Sequence, residues 1–255
     1  MDVIWTFKPI GWTPKDCITH LKENPDMKNN KLSFAGRLDP MAYGLLPIIV
    51  NDTKNQKQME LRDSYKTYQF KFIPGLQSDT YDILGLVNKL NKFDGIKNID
   101  IDAIKNIKKQ NYPAYSSHCI FDEYYKKKVP LWKLAKENRL PDILPERNVD
   151  IKDIQILNTK LIKKDELLNN VFERINKLTN KSGFRNDTIL KCWQNLDLDK
   201  EYKIYHLEST VSSGTYIRSI ANTLGGIAYD IFRIKVKDKY LENTENYDPF
   251  QFKIL

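Results

Sequence analysis

Residues 34–50 constrain the fold of this chain more than any other segment. Gly36 and Gly44 bracket a short loop and permit backbone angles that other residues resist. Between them, Pro40 keeps Asp39 out of a helix interior, because a residue before proline is pushed into extended or turn conformations. An apolar run of strand length follows at once. The pattern predicts a carboxylate on a stiff loop that leads into a buried strand, although the same Asp-Pro pair also begins ordinary turns.

Length and composition indicate one large domain, or one and a half. The chain has 255 residues, of which 41% are apolar, and this is enough for a sizeable core. No apolar run reaches the length of a transmembrane helix, and the first residues lack the basic and apolar blocks of a signal peptide. We therefore expect a soluble protein of the cytoplasm, with an organelle or the nucleus as alternative locations.

Cysteine and histidine give no support for a metal centre or a disulfide framework. The three cysteines and three histidines are scattered, without a CxxC pair or any other ligand spacing. The chain also lacks the GxxxxGK[ST] and GxGxxG patterns that bind nucleotide phosphates. We expect no metal and no cofactor.

The charge balance favours a nucleic-acid partner. The formal net charge is +8, and the chain contains 14 tyrosines and 11 phenylalanines. Cationic side chains bind phosphates, and aromatic rings stack on unpaired bases. An alternative interpretation is that the excess lysine serves solubility alone.

Periodicity predicts a mixture of strands and helices. Within residues 65–72, Tyr68, Phe70 and Phe72 alternate with polar residues and should share one face of a strand. Thr13, followed by proline and then by Asp16, predicts a capped helix start. Strands are predicted at 3–8, 45–50, 65–72, 151–162 and 202–211, and helices at 14–24, 53–61, 101–107, 130–138, 165–178 and 215–224.

Three stretches toward the C-terminus carry separate expectations. Residues 163–200 are rich in Lys, Asn and Asp and should fit poorly into a compact core, so we interpret them as an insertion. Basic residues at every second position in 233–239, beginning with Arg233, predict a strand with one basic face, which could serve RNA or solvent. Residues 241–255 should form a polar tail.

Six sequence blocks carry the more specific signal. They are KPIGWT at 8–13, AGRLDPMAYGLLP at 35–47, KTY at 66–68, the glycine-bounded loop with SDTYD at 75–85, PAYS at 113–116 and SGTYIRSIA at 213–221. In this order they resemble the TruB family of pseudouridine synthases. The resembling regions cover roughly residues 5–90, 112–137 and 203–240.

The resemblance implies both a fold and a reaction. The fold is α+β, with a mixed, largely antiparallel central sheet and flanking helices in residues 1–240, including an RNA-contacting thumb at about 112–137. The reaction converts a uridine in RNA, mostly in the tRNA T loop at position 55, to pseudouridine without cofactor or metal. The partner is then RNA, most often tRNA, and we expect a monomer. A C-terminal RNA-binding PUA domain is expected to be absent, since little chain follows residue 240.

The resemblance also assigns roles to residues. Asp39 matches the family's catalytic aspartate, which attacks covalently at ribose C1′ or base C6. Arg218 matches the arginine that pairs with it, by a two-point contact that suits its planar fork. Tyr68 matches the tyrosine that stacks on the flipped base and could take the C5 proton. The predicted substrate-binding residues are Phe34, Arg37, Lys66, Tyr115, Lys126, Lys127 and Arg233.

Departures from the family pattern leave alternatives open. Phe34 stands where bacterial members usually have a histidine, and Arg37 is bulkier than the usual small residue. The chain could therefore modify mRNA, viral or rRNA stem-loops instead, or serve as a non-catalytic RNA-folding chaperone. Without these roles, Arg218 would be a solvated or structural arginine, Tyr68 a core residue, and the lysines from Lys126 onward a solvated run.

Overall fold

The described structure consists of short helices around one large sheet. A computed structural model of the chain describes residues 2–90, 99–178 and 184–255. In these ranges the strands are β1 (Asp2–Lys8), β2 (Leu32–Phe34), β3 (Tyr43–Val50), β4 (Lys66–Pro74), β5 (Leu76–Ser78), β6 (Val87–Lys89), β7 (Lys109–Asn111), β8 (Cys119–Asp122), β9 (Lys127–Pro130), β10 (Glu146–Asn148), β11 (Ile151–Lys163), β12 (Glu201–Val211), β13 (Gly226–Val236), β14 (Lys239–Tyr240) and β15 (Lys253–Ile254). The helices are α1 (Pro14–Leu21), α2 (Pro25–Lys28), α3 (Gln56–Asp63), α4 (Ile101–Lys105), α5 (Leu131–Lys136), α6 (Lys164–Asn176), α7 (Asn186–Asn195) and α8 (Ile217–Thr223).

The central sheet contains nine strands and is largely antiparallel. Its main path runs β11-β12-β4-β13-β3-β1-β15, with β14 added beside β13 and β2 beside β3. The pairing of β13 with β3 is parallel, and the other pairings along this path are antiparallel. The predicted α+β class with a mixed, mostly antiparallel sheet is therefore confirmed.

The buried strand predicted after the Asp39 segment is β3. It is buried on both sides, because its alternate residues enter different apolar clusters. Leu45 and Ile49 pack with Phe7, whereas Leu46 and Ile48 pack against α1. Helix α1 begins with the predicted capping box. Strand β3, against which α1 packs, directly follows the loop that carries Asp39.

The alternation predicted in β4 is also present. Tyr68, Phe70 and Phe72 all enter the main apolar cluster, which fills the space between the sheet and the helices. Helix α8 packs against β13 and β4 in the same layer. The helix predicted at 215–224 is thereby held directly against the strand that carries Tyr68.

The prediction that residues 163–200 fit poorly into a core is wrong. Leu167, Val171 and Ile175 of α6 and Trp193 of α7 are fully buried in the main cluster. The Trp193 Nε1–H donates to the Ile83 carbonyl at 3.0 Å. The many charged residues of this segment misled the prediction, because they lie on the outer faces of two amphipathic helices. Residues 179–183 of the segment lie outside the described residues.

The tail predicted at 241–255 packs on the domain. Strand β15 pairs with β1 at the edge of the sheet. Phe252 stacks on Trp12 with ring centroids 5.5 Å apart, and Tyr247 stacks on Phe7 at 5.0 Å. The boundary predicted at residue 240 therefore does not separate the tail from the sheet. The signal missed was the pair of aromatic residues within a polar sequence.

The basic face predicted for 233–239 does not form. The pairing of β13 with β4 shifts register between Arg233 and Lys235, but Phe232, Ile234 and Val236 still enter one apolar cluster, so the alternation of side chains is kept. Arg233 is 1% exposed, and β13 ends at Val236 before a turn at Lys237. Ile234 and Val236 do face the core as predicted.

The helices of residues 2–90, 99–178 and 184–255 are all too short or too polar to cross a membrane.

We expect Trp193→Ala to lower the free energy of unfolding by about 3–5 kcal/mol, because it leaves a cavity and an unpaired Ile83 carbonyl in the core. Urea denaturation measures this change. Lys191→Ala, on the exposed side of the same helix, should change the free energy of unfolding by less than about 0.5 kcal/mol. A Trp193→Ala protein as stable as the Lys191→Ala protein would show that α7 is not part of the cooperative core.

Candidate active site

A cleft of about 520 Å³ opens beside the loop 35–42, which we call the Asp39 loop. Its walls come from this loop, from α3 and β4, from the region between β7 and β8, from β10, and from the turn 212–216 before α8. Asp39 is the one carboxylate among the described residues that line the cleft. Five cationic residues share the lining, namely Arg37, Arg62, Lys66, Arg147 and Arg233.

The Asp39 loop has the stiff turn that the sequence predicts. The Ala42 N–H donates to the Asp39 carbonyl at 3.0 Å, so that the turn closes around Pro40. Both bracketing glycines have positive φ, +77° at Gly36 and +109° at Gly44. A Cβ at Gly44 would lie 2.4 Å from the Arg233 carbonyl oxygen, so the glycine also permits the close pairing of β3 with β13.

Arg218 contacts Asp39 across 179 residues of sequence. The Arg218 Nε lies 2.8 Å from Asp39 Oδ2, and the arginine side chain is 2% exposed. The contact uses one point rather than the predicted two. The remaining Arg218 nitrogens donate to backbone carbonyls instead, Nη1 to Thr80 at 2.8 Å and Nη2 to Tyr115 at 3.0 Å.

These three bonds make Arg218 a junction of three chain segments. Because Arg218 is buried, it is not a solvated arginine. Burial alone would lower the pKa of its guanidinium, but the Asp39 and Asp82 carboxylates outweigh this effect and raise the pKa. The guanidinium therefore stays charged. A charge-assisted hydrogen bond from such a fixed cation holds the Asp39 carboxylate in one orientation.

The loop 79–86 supports Arg218 from behind. Asp82 is buried, and burial raises its pKa to about 6 against the opposing effects of Arg218 and of the Thr80 hydroxyl, which donates to it at 2.7 Å. Asp79 accepts a hydrogen bond from the Leu86 N–H at 2.8 Å and so orders this loop, as its position in the SDTYD block suggests. The Thr80 carbonyl, which accepts a hydrogen bond from Arg218, is thereby fixed in place.

Two buried basic side chains hold the backbone of the Asp39 loop. The Lys8 amino group is fully buried and donates to the Ala42 carbonyl at 2.6 Å and to the Pro9 carbonyl at 2.9 Å. Arg233 donates to the carbonyls of Leu45 at 2.7 Å, Gly36 at 3.2 Å and Arg37 at 3.3 Å. These bonds make both residues supports of the loop that presents the carboxylate.

Arg233 and Lys66 were predicted to bind substrate, and both line the cleft. Their polar atoms are already engaged with protein carbonyls, however. Lys66 Nζ donates to Ser64 at 2.6 Å and also to Arg62, and burial lowers the pKa of this lysine to about 7. The geometry assigns these two residues to positioning the loop walls rather than to free contact with a ligand.

Tyr68, Phe34 and Arg37 lie in the cleft as predicted. Tyr68 is 8% exposed, and its hydroxyl has no hydrogen-bond partner in the described part of the chain. The Arg37 guanidinium lies 5.5 Å from the centre of the Phe34 ring. A half-buried ring and an exposed guanidinium therefore lie together in the cleft beside the Asp39 loop.

Tyr115, Lys126 and Lys127 do not line the cleft. The Tyr115 ring packs under the Arg185 guanidinium at 4.5 Å, and only its backbone carbonyl reaches the site, through Arg218. Lys126 pairs with Glu123 at 2.8 Å in the exposed turn between β8 and β9. The structure thus leaves these three predicted substrate contacts outside the cleft.

The cleft also has an aromatic wall that the sequence motifs did not predict. Tyr112 and His118 stack with ring centroids 3.7 Å apart, and Tyr216 meets Tyr112 edge-on at 5.9 Å. All three line the cleft, and His118 is therefore neither a core residue nor a plain surface residue. Burial and the nearby charges of Arg147 and Lys128 lower the pKa of His118. The position of Tyr216 within the SGTYIR block was the available signal.

Arg185, from the segment predicted to be an insertion, was missed as well. It pairs with Asp79 at 2.7 Å and covers the Tyr115 ring, so the residue that precedes α7 supports two of the segments that Arg218 joins.

As for metals, no three His, Cys, Asp or Glu side chains of the described chain cluster closely enough to hold an ion.

Comparison with known proteins places these residues in context. A family model for the N-terminal domain of TruB family pseudouridylate synthases matches residues 25–170. The tRNA pseudouridine synthase B of Ureaplasma urealyticum serovar 10 is 37% identical over 163 residues, 62% of this chain and 66% of the relative. The Synechococcus sp. tRNA pseudouridine synthase B is 26% identical over 225 residues, 86% and 60% of the respective chains. Asp39 and Tyr68 lie within the family match, and Arg218 lies beyond it.

Among solved structures, a crystal structure of a Cbf5-Nop10-Gar1 complex aligns with a TM-score of 0.49 and 14% identity, over 95% of this chain and 50% of the other. The chain spans about three fifths to two thirds of the length of the two sequence relatives described above.

Lys8 should make stability depend on pH. Burial lowers its pKa from 10.5 to about 7 in the folded protein, so between these values the unfolded chain binds the proton and the folded chain does not. The free energy of unfolding of the wild type, relative to Lys8→Met, should therefore rise from pH 7 to pH 9, by up to about 1.4 kcal/mol per pH unit.

Urea denaturation at several pH values between about 7 and 9 measures this difference. Lys15→Met, which removes an exposed lysine from α1, should run parallel to the wild type. Parallel curves for Lys8→Met and the wild type would show that Lys8 keeps its ordinary pKa.

Proposed function

Because the chain belongs to the TruB family of pseudouridylate synthases, we propose that it converts a uridine in RNA to pseudouridine, with the tRNA T loop as substrate. The observation that carries the proposal is the 2.8 Å contact of Arg218 Nε with Asp39 Oδ2 at the cleft. It places a single oriented carboxylate where a flipped nucleotide can reach it. The relatives named tRNA pseudouridine synthase favour tRNA among the possible RNAs.

Asp39 is the proposed nucleophile. Its side chain is 33% exposed although its partner Arg218 is buried, so one face of the carboxylate is open to a substrate. Oδ2 is held by the guanidinium, and Oδ1 accepts no hydrogen bond from the described residues, which leaves it free to attack. The target can be C1′ of the ribose or C6 of the base.

The reaction breaks the N1–C1′ bond and forms a C5–C1′ bond within the same nucleotide. Asp39 forms a covalent bond in the course of the reaction and is released at its end. The C5 proton leaves and N1 gains a proton, so no oxidant, reductant or second substrate is consumed. The protein must therefore hold the detached base, orient one carboxylate and move protons.

Aromatic side chains would hold the base outside its stack. Extrusion costs about a few kcal/mol, and stacking on a protein ring recovers roughly 1–3 kcal/mol per base. Tyr68 is the proposed stacking partner and the acceptor of the C5 proton, since its hydroxyl has no other partner within the described chain. Tyr112, His118 and Tyr216 offer further rings in the same lining.

Phe34 would change the contacts that this protein makes with RNA near the flipped nucleotide. Its ring lies beside Arg37 in the cleft, where it can stack in the gap left by the flipped nucleotide. It cannot donate a hydrogen bond or accept a proton. We propose that stacking at this position is retained while polar recognition is not. The monomeric state, the cytoplasmic location and the absence of a metal and cofactor remain predictions.

Purified protein should form pseudouridine at one T-loop uridine of an unmodified tRNA, and Asp39→Asn should abolish this activity while preserving the shape of the carboxylate. Chemical labelling followed by primer extension locates the product. Melting temperature serves as the control for folding of the variant.

Two results would overturn the proposal in different ways. Pseudouridine in other RNAs but not in tRNA would replace the substrate, and mapping the modification across cellular RNA after deletion would identify it. Full tRNA-folding activity in Asp39→Asn, with no pseudouridine from the wild type, would indicate a non-catalytic chaperone.

Tyr68→Phe separates stacking from proton transfer. The ring remains, so the affinity for tRNA should stay unchanged, whereas loss of the phenol should lower the single-turnover rate by roughly 10²–10⁴-fold. Tyr68→Leu should in addition weaken binding by about 1–3 kcal/mol. A Tyr68→Phe rate equal to that of the wild type would restrict Tyr68 to stacking.

A further inference from the structure

Arg147 is a cleft arginine with an unsatisfied hydrogen-bond donor. It lies in β10 and lines the same cleft as Asp39. Its Nε is buried and has no hydrogen-bond partner, and no ion pair joins Arg147 to a carboxylate anywhere in the described chain. Its nearest aromatic neighbour is Tyr112, with the guanidinium 5.9 Å from the ring centre. A buried donor without an acceptor is unusual and indicates a place for a missing one.

The other cleft cations differ from Arg147 in this respect. Arg233 and Lys66 donate to backbone carbonyls, and Arg62 pairs with Asp63 at 2.9 Å. Arg37 lies over the Phe34 ring. Arg37 is exposed, so water can satisfy its donors, whereas the Nε of Arg147 is buried. Arg147 therefore stands apart as the cleft cation with a buried donor that no acceptor satisfies.

The guanidinium of Arg147 lies directly on the turn before α8. A Cβ built on Gly214 would be 1.8 Å from Arg147 Nη1 and 2.0 Å from Cζ, so the absent side chain is what makes room for the arginine. Gly214 has a φ of +79°. The N–H groups of Ser213 and Gly214 donate to no residue in the described ranges, although their neighbours Ser212 and Thr215 both do. A cation and two unpaired N–H groups thus meet at one turn.

This combination has the chemistry of an anion site. A guanidinium offers two parallel donors to an oxyanion, and unpaired backbone N–H groups supply further ones. The site also lies close to the reaction centre, since only three residues separate Gly214 from Arg218, and the Arg218 guanidinium is 5.5 Å from the Tyr216 ring.

We infer that Arg147 and the turn 213–214 bind one phosphodiester of the RNA strand beside the flipped uridine. The inference rests on the proposed function, because it takes the cleft to be the RNA site. A flipped nucleotide is held on both sides by its own backbone, and a fixed phosphate next to it sets how far the ribose reaches toward Asp39. Arg147 is in this sense a substrate-binding residue that does not touch the base.

The test measures RNA binding without turnover. In an Asp39→Asn background, Arg147→Gln should weaken binding of a synthetic T-arm stem-loop roughly tenfold or more. It should also reduce the slope of log K against log salt by about 0.7–0.9, which corresponds to one lost phosphate contact. Fluorescence anisotropy at several salt concentrations gives both values. Lys160→Gln, which removes an exposed charge from β11, should leave the slope unchanged.

A single neutral linkage identifies the phosphate. Each test stem-loop carries one neutral methylphosphonate linkage near the target uridine, with a deoxyribose on the 5′ side of that linkage. Its control has the same deoxyribose but an ordinary charged phosphodiester. At one linkage the neutral group should weaken binding to the Arg147-containing protein, and Arg147→Gln should show no further loss there. Arg147→Lys, which keeps the charge but not the fork, should restore only part of the affinity.

The outcomes separate this inference from the proposed function. RNA binding and pseudouridine formation by the wild type, without any linkage whose effect depends on Arg147, would overturn the phosphate site alone. A wild type that neither binds nor modifies the RNA would overturn both. An equal loss of affinity at every linkage in Arg147→Gln, together with a lowered melting temperature, would assign Arg147 a structural role and overturn the inference.

Discussion

The buried guanidinium of Arg218 is the interaction on which the rest of the site depends. A charge with 2% exposure is costly unless its donors are satisfied, and here one carboxylate and two carbonyls satisfy them. Those acceptors belong to the Asp39 loop, to Thr80 and to Tyr115, which are otherwise far apart in sequence. Because the buried charge needs all three acceptors, Arg218 holds the three segments together. Asp39 is oriented as a consequence, with one oxygen held and the other free.

Positive charge in the cleft has two separate uses. Arg233 is buried and donates to the carbonyls of Gly36, Arg37 and Leu45, so it holds the shape of the site. Arg147 has the opposite character, because its guanidinium lies at the cleft with an unsatisfied donor. The overall charge of +8 does not distinguish these uses. Hydrogen-bond partners do, because Arg233 is bound to backbone carbonyls whereas the buried Nε of Arg147 has no acceptor.

The structural support of the site extends into parts of the chain that looked peripheral. Trp193 of α7 fills the core, and Arg185 beside the same helix pairs with Asp79 and covers Tyr115, two residues that flank the Arg218 junction. The C-terminal strand β15 in turn closes the edge of the sheet next to β1, the strand that supplies Lys8. Polar composition concealed both contributions, because a few large buried residues decide packing while many exposed ones decide composition.

The sequence by itself determined the local features of this protein. Pro40 and the two glycines specify the Asp39 turn, the apolar run specifies β3, the alternation specifies β4, and the ordered blocks identify the family. These signals are local because proline, glycine and hydrophobic period act on the backbone where they stand. Only the tertiary structure decided that Arg218 meets Asp39 through one nitrogen, that Arg233 is buried against carbonyls of residues 36–45, and that Arg147 lies on the turn at Gly214 with a donor unsatisfied. Such contacts depend on strand register and burial across the whole chain, which no short stretch of sequence encodes.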